Sequence, residues 1–186
     1  MRSDVVCILK KQVVLSVGEY LFSRDFVIMD FSTTRGGIRS LISLRSIDQS
    51  NWEACIQLEP KQEQEGFIAS NLYSIAESKF LPHMNLKAIY FEEILIGFAM
   101  YGIDSDDGNY WVYRFMIDEQ FQGRGHGKSA MKLIIEDIRS RDDRTDVIWL
   151  GYQLDNEQAR KLYASVGFKE SGMAPWGEML AKYSFH

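Results

Sequence analysis

The chain predicts a mixed α/β domain in which an antiparallel β-meander comes first and βαβα units follow. Three observations predict it. Hydrophobic periodicity changes from helical to extended near residue 87. The turn formers Asp106-Asp107-Gly108-Asn109 separate two extended apolar runs. A glycine-rich loop at 122–128 stands between a strand pattern and a helix pattern, and strand and helix patterns alternate behind it.

The first forty residues differ in character from the rest and end in Ser32-Thr33-Thr34-Arg35-Gly36-Gly37, a cluster of turn formers that reads as a linker. A boundary therefore falls near residue 40. It divides a 1–40 extension, read either as an extra strand or as an appendage outside the fold, from a 41–186 domain. Ile42-Ser43-Leu44-Arg45 reads as a strand. Asp48, Ser50 or Asn51 then caps a helix to about residue 58, with Trp52, Cys55 and Ile56 on its apolar face. Phe67, Ile68, Leu72, Ile75 and Ala76 repeat at helical spacing, and Pro82 is expected to stop that helix. Strands follow at 87–91 and 95–102, joined at Glu92-Glu93, and a third at 110–117. The spacing predicts helices over 129–138 and 156–166, the second closed by Gly167, with strands at 147–152, 168–170 and 178–183.

Bulk properties exclude several function classes. A 186-residue chain with 46% hydrophobic residues supplies one core and not two independent domains. With 26 acidic and 21 basic residues the formal charge is -5, which gives no electrostatic grip on nucleic acid. Cys7 and Cys55 have no metal-ligand spacing, and His83, His126 and His186 are scattered, so neither a disulfide scaffold nor a metal site is expected. Apolar runs fall far short of the roughly 20 residues that span a bilayer, and residues 5–17 carry Lys10 and Lys11 at their centre. The expectation is a cytoplasmic protein that binds no membrane.

Gln122-Gly123-Arg124-Gly125-His126-Gly127-Lys128 sits where the unpaired amides of a helix N-terminus gather on an anion. Its glycines let backbone N–H groups approach a phosphate, with Arg124 and Lys128 available for charge-assisted contacts. The glycine spacing fits neither GxxxxGK[ST] nor GxGxxG, so a P-loop and a dinucleotide fingerprint both fail. Farther along, Asn156 suits a helix N-cap. Ala159 and Tyr163 follow it three and seven residues later on the same helical face.

The QxxGxG pattern of Gln122, Gly125 and Gly127, together with Asn156, Ala159, Leu162, Tyr163, Gly167 and Phe168 in the order N-x-x-A-x-x-L-Y-x-x-x-G-F, resembles the GNAT superfamily of N-acetyltransferases over about residues 42–183. The resemblance implies a central, mostly antiparallel sheet of six to seven strands, splayed after the fourth, with flanking helices. It implies acetyl-CoA as co-substrate. Phe115, Met116 and Ile117 would offer backbone groups to pantetheine, the amides of Gly123 to Lys128, His126 included, would hold the pyrophosphate, and Asn156 and Ala159 would line the cofactor. A backbone N–H of the 115–117 strand would hold the oxyanion, and Tyr163 would protonate the departing thiolate. A homodimer is also implied.

Phe67-Ile68-Ala69-Ser70-Asn71-Leu72, Gly97-Phe98-Ala99-Met100-Tyr101-Gly102 and Tyr113-Arg114-Phe115-Met116-Ile117-Asp118-Glu119 are similar to segments of bacterial spermine/spermidine acetyltransferases. That narrower resemblance implies a polyamine acceptor. A chain of ammonium groups needs carboxylates and aromatic faces along a groove. Glu59, Glu63 and Glu65 are candidate carboxylates, with Tyr73, Tyr101 and Tyr113 as candidate walls. The fourth strand carries no carboxylate, and Tyr113 stands where eukaryotic polyamine acetyltransferases carry a glutamate, so no general base is named and water-mediated proton removal through Glu or Asp residues elsewhere in the cleft stays open; Arg114 is expected in a structural ion pair. Two other readings stay open: acetylation of an aminoglycoside, amino acid or protein N-terminus, and a non-catalytic acyl-CoA-binding module.

Overall fold

A computed structural model describes residues 41–185. The 1–40 extension and Cys7 lie outside the described residues. One sheet organises the rest, in the order β1-β2-β3-β4-β5-β7-β6. Strands β1 (Ile42–Ser46), β2 (Met84–Phe91), β3 (Ile94–Ile103) and β4 (Tyr110–Ile117) form an antiparallel meander. Strands β5 (Val147–Tyr152), β6 (Lys169–Met173) and β7 (Met179–Ser184) form the other half, and only the β4–β5 junction is parallel. The mostly antiparallel sheet of six to seven strands that the resemblance implies is present with seven, opened between β4 and β5.

Side chains from the two sheet faces enter two separate cores, because successive strand residues point to opposite sides. Helix α3 (His126–Arg139) covers one face with Ala130, Met131, Ile134, Ile135 and Ile138, all buried at helical spacing. Helix α4 (Glu157–Ser165) joins it, and Ile89, Ala99, Tyr101, Val112, Ile117, Ile148 and Leu150 complete that core. On the other face Ala88, Phe98, Met100 and Met116 meet Cys55 of α1 (Trp52–Cys55), with Ile68 and Ile75 packed against them. Burial raises the Cys55 thiol to about 11, so it behaves as an apolar side chain.

Within β4 the alternation changes phase. Tyr110 and Val112 enter the α3 core, but beyond them Phe115 and Ile117 do so. The cause is a β-bulge: Met100 pairs with Arg114 and Tyr101 with Val112, leaving Tyr113 as the extra residue. Arg114 then reaches Glu77 at 3.1 Å, the ion pair expected of it.

Three helix boundaries differ from the sequence reading. Helix α1 is a single turn, and Asn51 Oδ1 accepts from the Asp48 N–H behind it without capping forward. The second helical stretch divides into a 3-10 turn, Gln62–Phe67, and α2 (Asn71–Glu77). Ser70 caps α2 by accepting from the Tyr73 N–H at 3.2 Å, so Phe67 and Ile68 precede the helix, and it ends at Ser78, ahead of Pro82. Helix α3 starts at His126, so the last residues of the glycine loop form its first turn.

Ile134 lies at zero exposure in the centre of the α3 core. Ile134→Ala is expected to cost about 2–5 kcal/mol in urea unfolding, the range for a large-to-small change in a packed core. A loss well under that range would show that this face is loosely packed.

Candidate active site

The site begins where the sheet stops pairing. Strands β4 and β5 are matched at Tyr110↔Ile148, Trp111↔Trp149 and Val112↔Leu150, and no further. From the Tyr113 bulge to Ile117, β4 pairs with no strand on its β5 side among the described residues, so its outward amides and carbonyls face an open gap. A cleft of about 730 Å³ occupies this gap, bounded by β4, β5, the glycine loop, α4 and the 60–69 segment.

One wall is the α3 N-terminus. Gly125 is its N-cap at φ 82° and Gly123 precedes it at φ 78°, a left-handed backbone that only glycine adopts at low cost. The first intrahelical bond runs from the Ser129 N–H to the Gly125 carbonyl, so the amides of the first turn lack acceptors within the helix. Together with the helix dipole they form an anion seat. Gly123, Gly125, Gly127 and Lys128 line the cleft, as do Phe115, Met116 and Ile117 across it. Arg124 and His126 do not line it. Arg124 lies 5.9 Å from the Phe121 ring centroid, and the His126 ring packs at 4.7 Å on Phe91. Burial, with Arg124 nearby, lowers the His126 pKa.

Gln122 lines the cleft with the glycines it accompanies, but its side-chain amide is taken up by protein partners. Its Nε2 donates to the Ile117 carbonyl at 2.9 Å and to Gln64 Oε1 at 2.8 Å, while Gln64 Nε2 donates to Gln158 Oε1 at 3.0 Å. This chain of amides ties the end of β4 to the 3-10 turn and to α4. Asp118, nearly buried, fixes the same corner by accepting from the Glu59 N–H at 3.2 Å and from the Gln120 N–H at 3.1 Å.

Helix α4 supplies the opposite wall. Asn156 Oδ1 caps it by accepting from the Ala159 N–H at 3.0 Å, and Gly167, at φ 105°, ends it. Asn156, Ala159 and Tyr163 all reach the cleft. Tyr163 is 9% exposed, wedged between the rings of Tyr152 at 5.8 Å and Phe168 at 5.9 Å. Burial raises its pKa, with Tyr152 and Glu178 adding to the shift, and its hydroxyl has no hydrogen-bond partner among the described residues. A protonated phenol with an unused donor therefore borders the cleft.

The acceptor-side candidates separate. Tyr113 lines the cleft and donates its hydroxyl to Asp104, an arrangement that, after burial, keeps it protonated. Glu63 and Glu65 are exposed on the 3-10 turn and do not line the cleft, although Gln64 between them does. Glu59 is exposed and Tyr73 is 57% exposed. Tyr101 is not a cleft wall: its place on β3 sends it into the α3 core, where its hydroxyl donates to Asp137 at 2.7 Å. The sequence reading missed Glu178, a half-buried cleft carboxylate just before β7. No local signal marked it, because its position depends on strand pairing with β5.

Residues 43–168 match the model of the acetyltransferase (GNAT) family. The chain belongs to that family. Spermine/spermidine N(1)-acetyltransferase of Bacillus subtilis is 31% identical over 137 residues, covering 70% of this chain and 90% of that protein. The ribosomal protein bS18 alanine N-acetyltransferase of Haemophilus ducreyi is 31% identical over 88 residues, 47% of this chain and 57% of the relative. A spermidine N-acetyltransferase from Vibrio cholerae, solved with CoA and spermine, shares the fold at a TM-score of 0.61 and 16% identity, covering 77% of this chain and 94% of the other. The protein is an acetyl-CoA-dependent acetyltransferase with a GNAT fold.

The loop glycines differ in what holds them. A Cβ at Gly125 meets nothing within 4 Å but is strained by the positive φ, whereas a Cβ at Gly127 makes ordinary contact with Ile117 at 3.6 Å. Gly125→Ala is expected to lose about 1 kcal/mol, or roughly 2–4 °C in Tm, and to weaken CoA binding. Gly127→Ala is expected to keep the wild-type Tm. Calorimetry and titration with CoA check both; equal Tm losses would contradict the assignment.

Proposed function

We propose that the protein transfers the acetyl group of acetyl-CoA to a primary amine of a polyamine such as spermidine, by direct attack in a ternary complex. The observation that carries this reading is the pairing, across one cleft, of a helix N-terminus without a side-chain cap with a protonated tyrosine whose hydroxyl has no partner among the described residues. The anion seat suits a pyrophosphate, and the unpaired edge of β4 suits the peptide-like amides of pantetheine, which add to it as a further strand would. The Bacillus subtilis relative supports the polyamine class, because its similarity covers most of both chains.

The chemistry follows from these positions. The neutral amine attacks the thioester carbonyl, and the oxygen that gains charge meets a backbone N–H of the 115–117 segment. As the C–S bond breaks, sulfur needs a proton. Tyr163 supplies it: the desolvation that keeps the phenol protonated also raises the proton affinity of a thiolate beside it. Asn156 and Ala159 hold the helix turn that aims this phenol.

A second reading, acetylation of a protein N-terminal amine, is favoured by the similarity to the bS18 alanine acetyltransferase, but that similarity covers under half of this chain. One assay separates the readings. Release of CoA thiol from acetyl-CoA is expected with spermidine or spermine, and Tyr163→Phe is expected to lower kcat about 10²-fold with little change in the KM for acetyl-CoA. Turnover with an alanine-terminated peptide and none with polyamines would replace the acceptor. An unchanged Tyr163→Phe rate would remove Tyr163 as the acid.

A further inference from the structure

The reaction needs a base, and β4 offers none. The geometry points to Glu178, which reaches the cleft from the residue just before the neighbouring strand β7, as the general base that takes a proton from the acceptor amine; this rests on the amine acetyltransfer proposed above.

Strand β5 sets the position. Ile148, Leu150 and Tyr152 are buried toward α3 and α4, so Trp149, Gly151 and Gln153 face the other side of the sheet. Gly151 follows Leu150, the last residue paired with β4, and therefore stands where the gap opens. It pairs with Leu180 of β7, and Tyr152 pairs with Met179. Continued by one residue, this register brings Glu178 opposite Gln153, on the same face as Gly151.

The missing side chain at Gly151 makes room for the carboxylate. A Cβ built there would lie 2.6 Å from Glu178 Oε2, inside van der Waals contact. The carboxylate thus occupies the space that any other residue at 151 would fill, at the point where the two strands part. Two donors aim it: Trp176 Nε1 to Oε2 at 2.8 Å, and Gln153 Nε2 to Oε1 at 3.5 Å. Among the described residues no cation pairs with Glu178, which leaves its charge available to an incoming ammonium.

Glu178 and Tyr163 line the same cleft from different places, the residue before β7 and helix α4. Their charges also sense each other, since Glu178 contributes to keeping the Tyr163 phenol protonated. This gives each proton a route. An ammonium and acetyl-CoA become an acetamide, CoA thiol and one released proton. Of the two protons that nitrogen loses, one leaves through Glu178 to solvent. The other is balanced by the proton that Tyr163 gives to sulfur, the phenol being restored afterwards. The C–N bond forms and the C–S bond breaks with no other reactant.

The test is Glu178→Gln, which keeps size and one acceptor oxygen for the Trp176 N–H but removes the basic charge, alongside Gly151→Ala, whose new methyl meets only the Glu178 side chain and so displaces the carboxylate without disturbing backbone. Both variants are expected to lose about 10²-fold in kcat/KM for the amine at pH 7, with the KM for acetyl-CoA unchanged. For Glu178→Gln the deficit should shrink as pH rises and free amine accumulates. A Glu178→Gln rate within twofold of wild type overturns the proposal, as does a deficit of equal size at every pH, which would mark a binding anchor. If the wild type acetylates no amine, the acceptor reading fails by itself, and slow hydrolysis of acetyl-CoA then reads Glu178 alone. The same fall in hydrolysis upholds the base, and an unchanged rate overturns it.

Discussion

A parallel pair of strands that stays together for Tyr110 to Val112 and then separates governs everything else in this molecule. A sheet interior leaves backbone groups unsatisfied only where a ligand or water can replace the lost partner. Here the loss is deliberate on both sides. The Tyr113 bulge turns β4 and shifts its alternation by one residue, so that Phe115 and Ile117 still face the α3 core while the strand edge opens toward the cleft. Strand β5 remains fixed by full antiparallel pairing with β7 from Val147 to Tyr152.

Around this opening, polar contacts hold irregular backbone in place. Asp118 and the Gln122–Gln64–Gln158 chain anchor the loop that leaves β4 and the segment that crosses it. Their effect is to point the first turn of α3 at the gap. The helix ends carry opposite tasks there. The N-terminus of α3 presents unpaired donors, and the capped N-terminus of α4, with its first amides partly satisfied by Asn156, presents side chains. In the reaction proposed above the chemistry divides by element, with α3 and β4 assigned to the acyl donor and α4 and the residue that enters β7 to proton transfer.

Much of this was legible in the residue order because the signals were local. The Asp106 to Asn109 turn needed one left-handed residue and Gly108, at φ 69°, supplies it; the Asn156 cap and the Gly167 stop lie where their spacing placed them. The start of α2 is hidden in the sequence because Phe67 and Ile68 continue its helical period, although Phe67 closes the 3-10 turn and Ile68 is extended and packs against the second core, while the true start is set by the Ser70 cap. Tyr101 was misplaced by treating an aromatic on β3 as a surface residue without its strand phase. The bulge at Tyr113 and the carboxylate at Glu178 were out of reach, since each is defined by the register of one strand against another far away in sequence.

The central claim is that the β4–β5 opening and the α3 N-terminus together seat acetyl-CoA. Hydrogen exchange read by mass spectrometry, with and without CoA, addresses it residue by residue, because a bound pyrophosphate and pantetheine occupy amides that are otherwise free to exchange. Protection confined to 113–117 and 123–129, with β1 and β2 unchanged, is the result this account predicts. Binding of CoA that leaves those two segments unprotected would contradict it.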